Sequence, residues 1–233
     1  MVFKTRKREF DHFSALASEW QSKNGRFKVL HQINSIRLKY IQNTIKKEKL
    51  NKFSILDIGC GGGLVSEGLS RLGAEVTGLD FVRDNINYAK LSAKQKKLKI
   101  KYKVKDFENE DINYKYDIII IFEVLEHLND WEQFIKKIKK NLKKGGIIII
   151  STINKNLLSK FLTIDLAENY LKWIPEKTHN YHKFIKPNDL EYSLSKNNFK
   201  NINFHGLVFN PLNQKWKLST NTNINYFCSG VLN

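Results

Sequence analysis

Leu56-Asp57-Ile58-Gly59-Cys60-Gly61-Gly62-Gly63 is the stretch that decides the fold. Phe53 to Ile58 reads as a buried strand that runs directly into a glycine cluster, and Leu64 to Leu72 carries apolar residues at helical spacing. Glycine permits the backbone angles of a tight strand-to-helix turn and lets a ligand approach the main chain closely, so a nucleotide-like cofactor is implied. The dinucleotide fingerprint G-x-G-x-x-G would put glycine at position 64, which is Leu64; the spacing present is G-x-G-x-G, with the acidic Asp57 two residues ahead.

Outward from this loop, short apolar runs alternate with longer amphipathic ones. Glu75 to Asp80, Ile100 to Val104 and Tyr116 to Phe122 read as strands, with a helix over Asp84 to Lys96. Ile118-Ile119-Ile120-Ile121 is a continuous apolar run, as a strand buried on both faces of a parallel sheet requires. A helix is expected from Trp131 to Leu142, ended by Gly145-Gly146, with a fifth strand from Ile147. This alternation predicts an α/β, mostly parallel, doubly wound sheet. Beyond Ile153 the regularity lapses; a helix over Pro187 to Lys196 and strands over Ile202 to Leu207 and Asn223 to Ser229 follow. Residues 1–50 read as an N-terminal helical extension, with Phe13, Ala17 and Trp20 at helical spacing, and 51–233 as the main domain, carrying an insert at about 155–186.

The chain has 233 residues, 40 Lys plus Arg against 23 Asp plus Glu, and a net charge of +17. Its 41% hydrophobic content supports one core and excludes a mainly disordered chain. The charge invites a nucleic-acid or anionic-membrane partner, or reflects lysine spread without a partner. Cys60 and Cys228 cannot build a disulfide framework, and no Cys/His spacing resembles a zinc site. A reducing compartment fits this cysteine usage. The basic start runs into Glu9, Asp11 and His12 without an apolar segment, so no signal peptide is expected, and no window is apolar enough to span a bilayer.

Asp80 ends the second strand, twenty-one positions after Gly59, where a carboxylate can accept from both hydroxyls of an unphosphorylated ribose. Asp106, past the third strand, is placed to meet an adenine amine, or is a surface acid or helix cap; Phe122 is an aromatic wall or plain core. Glu123-Val124-Leu125-Glu126-His127 sits at the carboxyl end of the fourth strand, where open α/β sheets bind ligands. Two carboxylates and an imidazole there suit a divalent cation such as Mg²⁺, which would acidify a bound phenol; alternatively His127 is a general base, or the cluster is a charged helix start.

The glycine loop resembles the first motif of class I S-adenosylmethionine-dependent methyltransferases. More specifically, the chain is similar to the ubiquinone-biosynthesis O-methyltransferase family from about Phe13 to Cys228. The matching stretches are Phe27 to Arg37, Asp57 to Gly63, Thr77 to Asp80, Glu123 to His127, Ser151-Thr152-Ile153-Asn154, and Thr178-His179-Asn180 with Lys183-Phe184-Ile185-Lys186-Pro187. Val29 and Ser35 stand where the family usually has proline, Gln21 where a second tryptophan is common, and Asn180 where Asp is usual. The resemblance implies a class I methyltransferase fold with a seven-stranded sheet. It implies S-adenosyl-L-methionine as cofactor, held by Arg37, Gly59, Asp80 and Phe122, to which the loop and strand-end readings add Gly61 and Asp106. Arg37 would fork onto the methionine carboxylate. Glu123, Glu126 and His127 become the catalytic and metal-binding set, with His179 near the substrate.

The implied reaction is O-methylation of polyprenylated phenols and quinols, 2-polyprenyl-6-hydroxyphenol and 3-demethylubiquinol, with no nucleic-acid substrate and a place in a ubiquinone-biosynthesis complex. A base-modifying enzyme would want an Asn/Asp-Pro-Pro-aromatic motif where Glu123 to Glu126 stand. Such a tail lives in the bilayer, so a cytoplasmic protein held peripherally at an anionic inner-membrane surface is expected. The insert offers an interfacial face: Leu157, Leu158, Phe161, Leu162, Ile164, Leu166, Tyr170, Leu171, Trp173 and Ile174 with flanking Lys155, Lys160, Lys172 and Lys177. The same face would also serve as an active-site lid.

Overall fold

The expected first strand forms because Ser54 to Ile58 are buried without interruption, giving β1 (Ser54–Ile58). The computed structural model describes residues 14, 19–20, 22, 24–164 and 180–233. Two compact units divide at Tyr116 and Asp117.

In the first unit, β1 pairs in parallel with β2 (Glu75–Asp80), and β2 with β3 (Ile100–Val104). The order is β3-β2-β1. Helix α1 (Lys28–Ile45) precedes β1; α2 (Leu64–Arg71) and α3 (Arg83–Gln95) are the crossovers. Helix α2 starts at Gly63, whose φ of 86° is left-handed and favours glycine. Helix α3 buries Ile86, Ala89 and Ala93 along one stripe against Tyr102 of β3 and Cys60, with Asp84 in its first turn and Lys94 in its last to suit the helix dipole. Between β3 and the next strand, residues 105–115 form turns and extended chain without a helix.

In the second unit the strand order is β4-β5-β8-β6-β7. Strand β4 (Tyr116–Phe122) begins at the boundary and buries Ile118 to Ile121 completely. Helix α4 (Trp131–Ile138) is capped by Asp130, whose side chain accepts from the Gln133 N–H, and buries Phe134, Ile135 and Ile138. A single 3₁₀ turn follows, and β5 (Leu142–Ile153) already includes Gly145 and Gly146. The expectation that this glycine pair ends the helix is therefore corrected. Lys143 is drawn into the strand by the ion pair of its ammonium with Asp117 at 2.9 Å, and Gly145, at φ 73°, bends the strand in open space. Then come α5 (Leu157–Lys160), α6 (Pro187–Lys196) with proline in its first turn, β6 (Phe199–Asn210), β7 (Lys215–Ser219) and β8 (Asn225–Leu232).

Strands β5, β8, β6 and β7 pair antiparallel in turn. The described residues hold eight strands rather than the seven expected, the addition being β7, which hairpins back on β6. Both cysteines are buried and free. No helix among the described residues is long and apolar enough to cross a membrane.

A Cβ placed on Gly78 in β2 would stand 2.6 Å from Tyr102 Cδ1 and 3.0 Å from Cys60 Sγ. Gly78→Ala is expected to lose about 1–3 kcal/mol through overpacking, read as a lower urea midpoint at unchanged slope.

Candidate active site

The glycine loop takes its shape from one carboxylate. Asp80, at the end of β2, is almost wholly buried; its Oδ2 accepts from the Gly61 N–H at 2.9 Å and its Oδ1 from the Val82 N–H at 2.8 Å. Gly59 and Cys60 donate their N–H groups to the Leu79 carbonyl, and Gly59 and Gly61 adopt φ of 68° and 52°. Burial pushes the Asp80 carboxyl up to about 6, against the pull of the Val82 and Gly61 amides and the Asn85 side chain.

Asp57 lies one layer deeper. It accepts from Ser66 Oγ at 2.5 Å, and burial raises it to about 6 while Ser66 and the charge of Arg37 lower it. Arg37, on α1, is buried rather than on the helix surface. Arg37, Gly59, Gly61 and Asp80 thus come together in the first unit, linked through Asp57. Asp106 follows closely, since the Lys105 N–H donates to the Asp80 carbonyl at 2.9 Å. Its carboxylate also caps a turn, accepting from the Glu108 and Asn109 amides and from Asn109 Nδ2.

Trp20 was legible only as one of the helically spaced apolar residues of the extension. Its indole lies across the glycine loop: a Cβ on Gly62 would fall 2.4 Å from its Cγ, and one on Gly61 2.5 Å from its Cζ2. The ring stacks on Phe27 at 3.9 Å and donates from Nε1 to Asn85 Oδ1 at 2.9 Å, while His31 Nε2 meets the Trp20 carbonyl. Asn85 thereby joins Trp20 to Asp80.

The second unit carries the acidic cluster. Glu123 has a φ of 53°, a conformation costing about 1–3 kcal/mol for a residue with a side chain, held by its N–H to the Ser151 carbonyl and by Ser151 Oγ donating to its Oε1 at 2.6 Å. Glu126 is buried on the 3₁₀ turn Leu125–His127, and its Oε2 accepts from Thr152 Oγ1 at 2.9 Å. Burial, and then the neighbouring charge of Glu123, hold the Glu126 carboxyl well above the usual carboxylate range. Burial beside a like charge thus favours the protonated form of Glu126 more than in an exposed glutamate. Phe122 is buried and packs edge-on to Phe227 at 5.6 Å.

Glu123, Glu126 and His127 are the set expected to hold a metal. Among the described residues no three His, Cys, Asp or Glu side chains gather so as to hold a metal ion. What comes together is the carboxylate pair, braced by Ser151 and Thr152, while the His127 carbonyl accepts from Lys183 Nζ at 2.8 Å. The residues present do not fit a three-ligand cation site.

The segments most particular to the resemblance thus acquire a physical role. Ser151 and Thr152 grip the two glutamates; Lys183 holds the turn that carries His127, and the Ile185 N–H closes on the Ile153 carbonyl at 3.0 Å. His179 lies outside the described residues.

A family model described as "Methyltransferase domain" matches residues 4–203. A ubiquinone biosynthesis O-methyltransferase of Pelagibacter ubique is 44% identical over 235 residues, covering 97% of this chain and 98% of that protein. This chain belongs to the ubiquinone biosynthesis O-methyltransferase family. Proteins of the same name from Bartonella tribocorum and Rickettsia prowazekii are 41% and 39% identical, covering 94% and 95% of this chain and 92% and 88% of theirs. A possible histamine N-methyltransferase of Thermotoga maritima superposes with a TM-score of 0.68 at 15% identity, covering 97% of this chain and all of that one. A magnesium protoporphyrin IX methyltransferase of Synechocystis with bound S-adenosylmethionine gives 0.60 at 18%, covering 87% of this chain and 79% of that one. Both share the class I methyltransferase fold with this member of the family.

Two predictions follow from the loop. Gly62→Ala is expected to destabilise the wild type by more than about 1 kcal/mol and the Trp20→Ala variant much less, a coupling read from urea unfolding of the four proteins of the cycle. Asp80 binds its proton more tightly folded (about 6) than at its ordinary 3.8, so its charged form burdens the fold above pH 6 and the burden lifts as pH falls toward 4. The difference in Tm between Asp80→Asn and the cofactor-free wild type should therefore shrink between pH 7 and pH 5; a constant difference would contradict it.

Proposed function

We propose that the chain transfers methyl groups from S-adenosyl-L-methionine to phenolic hydroxyls of polyprenylated ubiquinone precursors, of the 2-polyprenyl-6-hydroxyphenol and 3-demethylubiquinol type. The observation that carries this reading is the braced Glu123–Glu126 pair beside His127 in a full-length relative of ubiquinone biosynthesis O-methyltransferases.

When bound, the cofactor supplies an electrophilic methyl group on a sulfonium. In the first unit, Asp80 receives the ribose hydroxyls by exchanging its hold on the Gly61 amide, Gly59 and Gly61 present bare main chain, and Arg37 faces the methionine carboxylate. Asp106 takes the adenine amine. In the second unit, His127 or the ionised member of the carboxylate pair takes the phenol proton. The oxygen then forms its bond to the methyl carbon as the carbon–sulfur bond breaks, leaving an aryl methyl ether, the thioether product and a protonated base. A carboxyl raised by burial is a stronger base than an exposed carboxylate, which suits it to this task. No step in this reading passes through a metal.

The polyprenyl tail places the enzyme at a membrane surface. Leu157, Leu158 and Phe161 are 78%, 48% and 55% exposed, beside Lys155 and Lys160. A row of apolar side chains with basic flanks suits insertion among anionic headgroups. Leu162 and Ile164 of that face are half-buried, and the rest, Leu166 to Ile174, lies outside the described residues.

Labelled methyl transfer to a short-tailed demethylubiquinol tests the reaction. Glu126→Gln and His127→Ala are each expected to lower turnover by about tenfold or more while calorimetric cofactor affinity stays within about threefold. Unchanged turnover in both would overturn the assignment, and turnover abolished by a chelator and restored by Mg²⁺ would replace the metal-free reading. Flotation with phosphatidylglycerol liposomes is expected to lose the protein when Leu158 and Phe161 are made Ser.

A further inference from the structure

The first unit has a second built surface, independent of the O-methylation reading. A groove of about 820 Å³ lies along the face of β2 and β3 away from α3. Residues 105–115, between β3 and β4, form no helix, so among the described residues no crossover helix covers this sheet face. Thr77 and Leu79 lie along it, and Tyr114, 58% exposed, stands in the uncovered connection.

The chemistry of the groove is one-sided. Lys99, Lys101, Lys103 and Lys105 line it at every second position, and Lys97 joins them; two acids, Glu75 and Asp111, also line it. Lys105 reaches Glu110 at 3.4 Å, whereas Lys99, Lys101 and Lys103 are exposed. The opposite face of β3 holds the buried Tyr102 and the 39% exposed Val104. Among the described residues strand β3 pairs with β2 alone and ends the strand order, so its outer edge offers backbone donors and acceptors.

We propose that this edge and groove receive an extended acidic segment of a partner protein, with carboxylates at alternate positions and apolar residues between them. The argument is one of register. A strand repeats its facing every two residues, about 6.6 Å, so acids at i, i+2 and i+4 of an added strand meet Lys101, Lys103 and Lys105 while the intervening apolar residues fall beside Val104. The same lysines repel a second copy of this chain, whose net charge is +17, so the charge pattern selects an acid-bearing strand over self-association. A bilayer is a poorer occupant, because its flat surface meets protruding lysines rather than a concave row beside an open strand edge.

The test uses the full chain and a fluorescein-labelled acetyl-(Glu-Val)₄-amide peptide followed by anisotropy, with acetyl-Glu₄-Val₄-amide as a comparison of equal charge. The alternating peptide should bind at least about tenfold more tightly than the block peptide. Lys101→Glu with Lys103→Glu should weaken it by a further tenfold or so, while Lys136→Glu with Lys140→Glu, an equal charge change on α4 and the 3₁₀ turn after it, should leave it within about threefold. Lys101→Gln with Lys103→Gln serves if the double reversal does not fold, and should show the same loss in smaller degree. Equal affinity for the two peptides, or equal loss in the groove and α4 variants, would overturn the proposal. So would displacement of the peptide by poly(U) RNA or phosphatidylglycerol vesicles at lower charge-equivalent concentration than by unlabelled peptide.

Discussion

A buried carboxylate must be answered by donors, and at Asp80 the donors are main chain. The amides of Gly61 and Val82 converge on it from the two sides of the β1 and β2 strand ends. That requirement bends the glycine loop back over β2 and fixes where α2 can start. It also leaves the loop's own surface free for Trp20, because any side chain at Gly61 or Gly62 would take the indole's place. The residue best suited to recognise a ribose is therefore the one that shapes the loop around it. In this arrangement the cofactor would compete with the protein's own amides for the same oxygens, which couples binding to loop adjustment.

The acidic cluster is organised by the opposite logic. Glu126 is buried beside a like charge, an unfavourable placement that persists because Thr152 and Ser151 grip the two carboxyls from β5 and Lys183 pins the turn from the far side of the insert. The left-handed backbone of Glu123 adds strain at the same point. Stability is given up locally to keep a buried carboxyl beside a like charge, which raises its proton affinity above that of an exposed glutamate. Segments far apart in sequence are thus tied to a single task.

Much of this architecture was legible in the residues. Strand β4 carries an unbroken apolar run, β3 alternates apolar residues with lysines, and β2 ends at the acid after Gly-Leu, so the limits of all three could be read directly. Strand β7 was missed because Lys-Trp-Lys-Leu-Ser is short and mostly polar, although Trp216 and Leu218 do alternate with lysines. The start of β5 was missed because Leu142 to Gly146 is exposed at three of its five positions, so no periodicity marks it as strand. Of the site, the glycine loop, Asp80 and the Glu/His run announced themselves by local spacing. The contact of Trp20 with the loop, and the grip of Ser151, Thr152 and Lys183 on the cluster, depend on tertiary pairing, which local spacing does not encode.

The two cysteines carry a consequence of another kind. Cys60 sits under the glycine loop between Asp57 and Asp80, and Cys228 lies in the middle of β8; burial drives both thiols upward, away from the thiolate form. Alkylating and oxidising reagents attack the thiolate. In the folded chain neither sulfur is ionised or accessible, so electrophiles, including quinone rings, find no nucleophile there. A thiol-reactive dye added to this protein would consequently act as a clock for opening of the fold, with Cys60 timing the first unit and Cys228 the second.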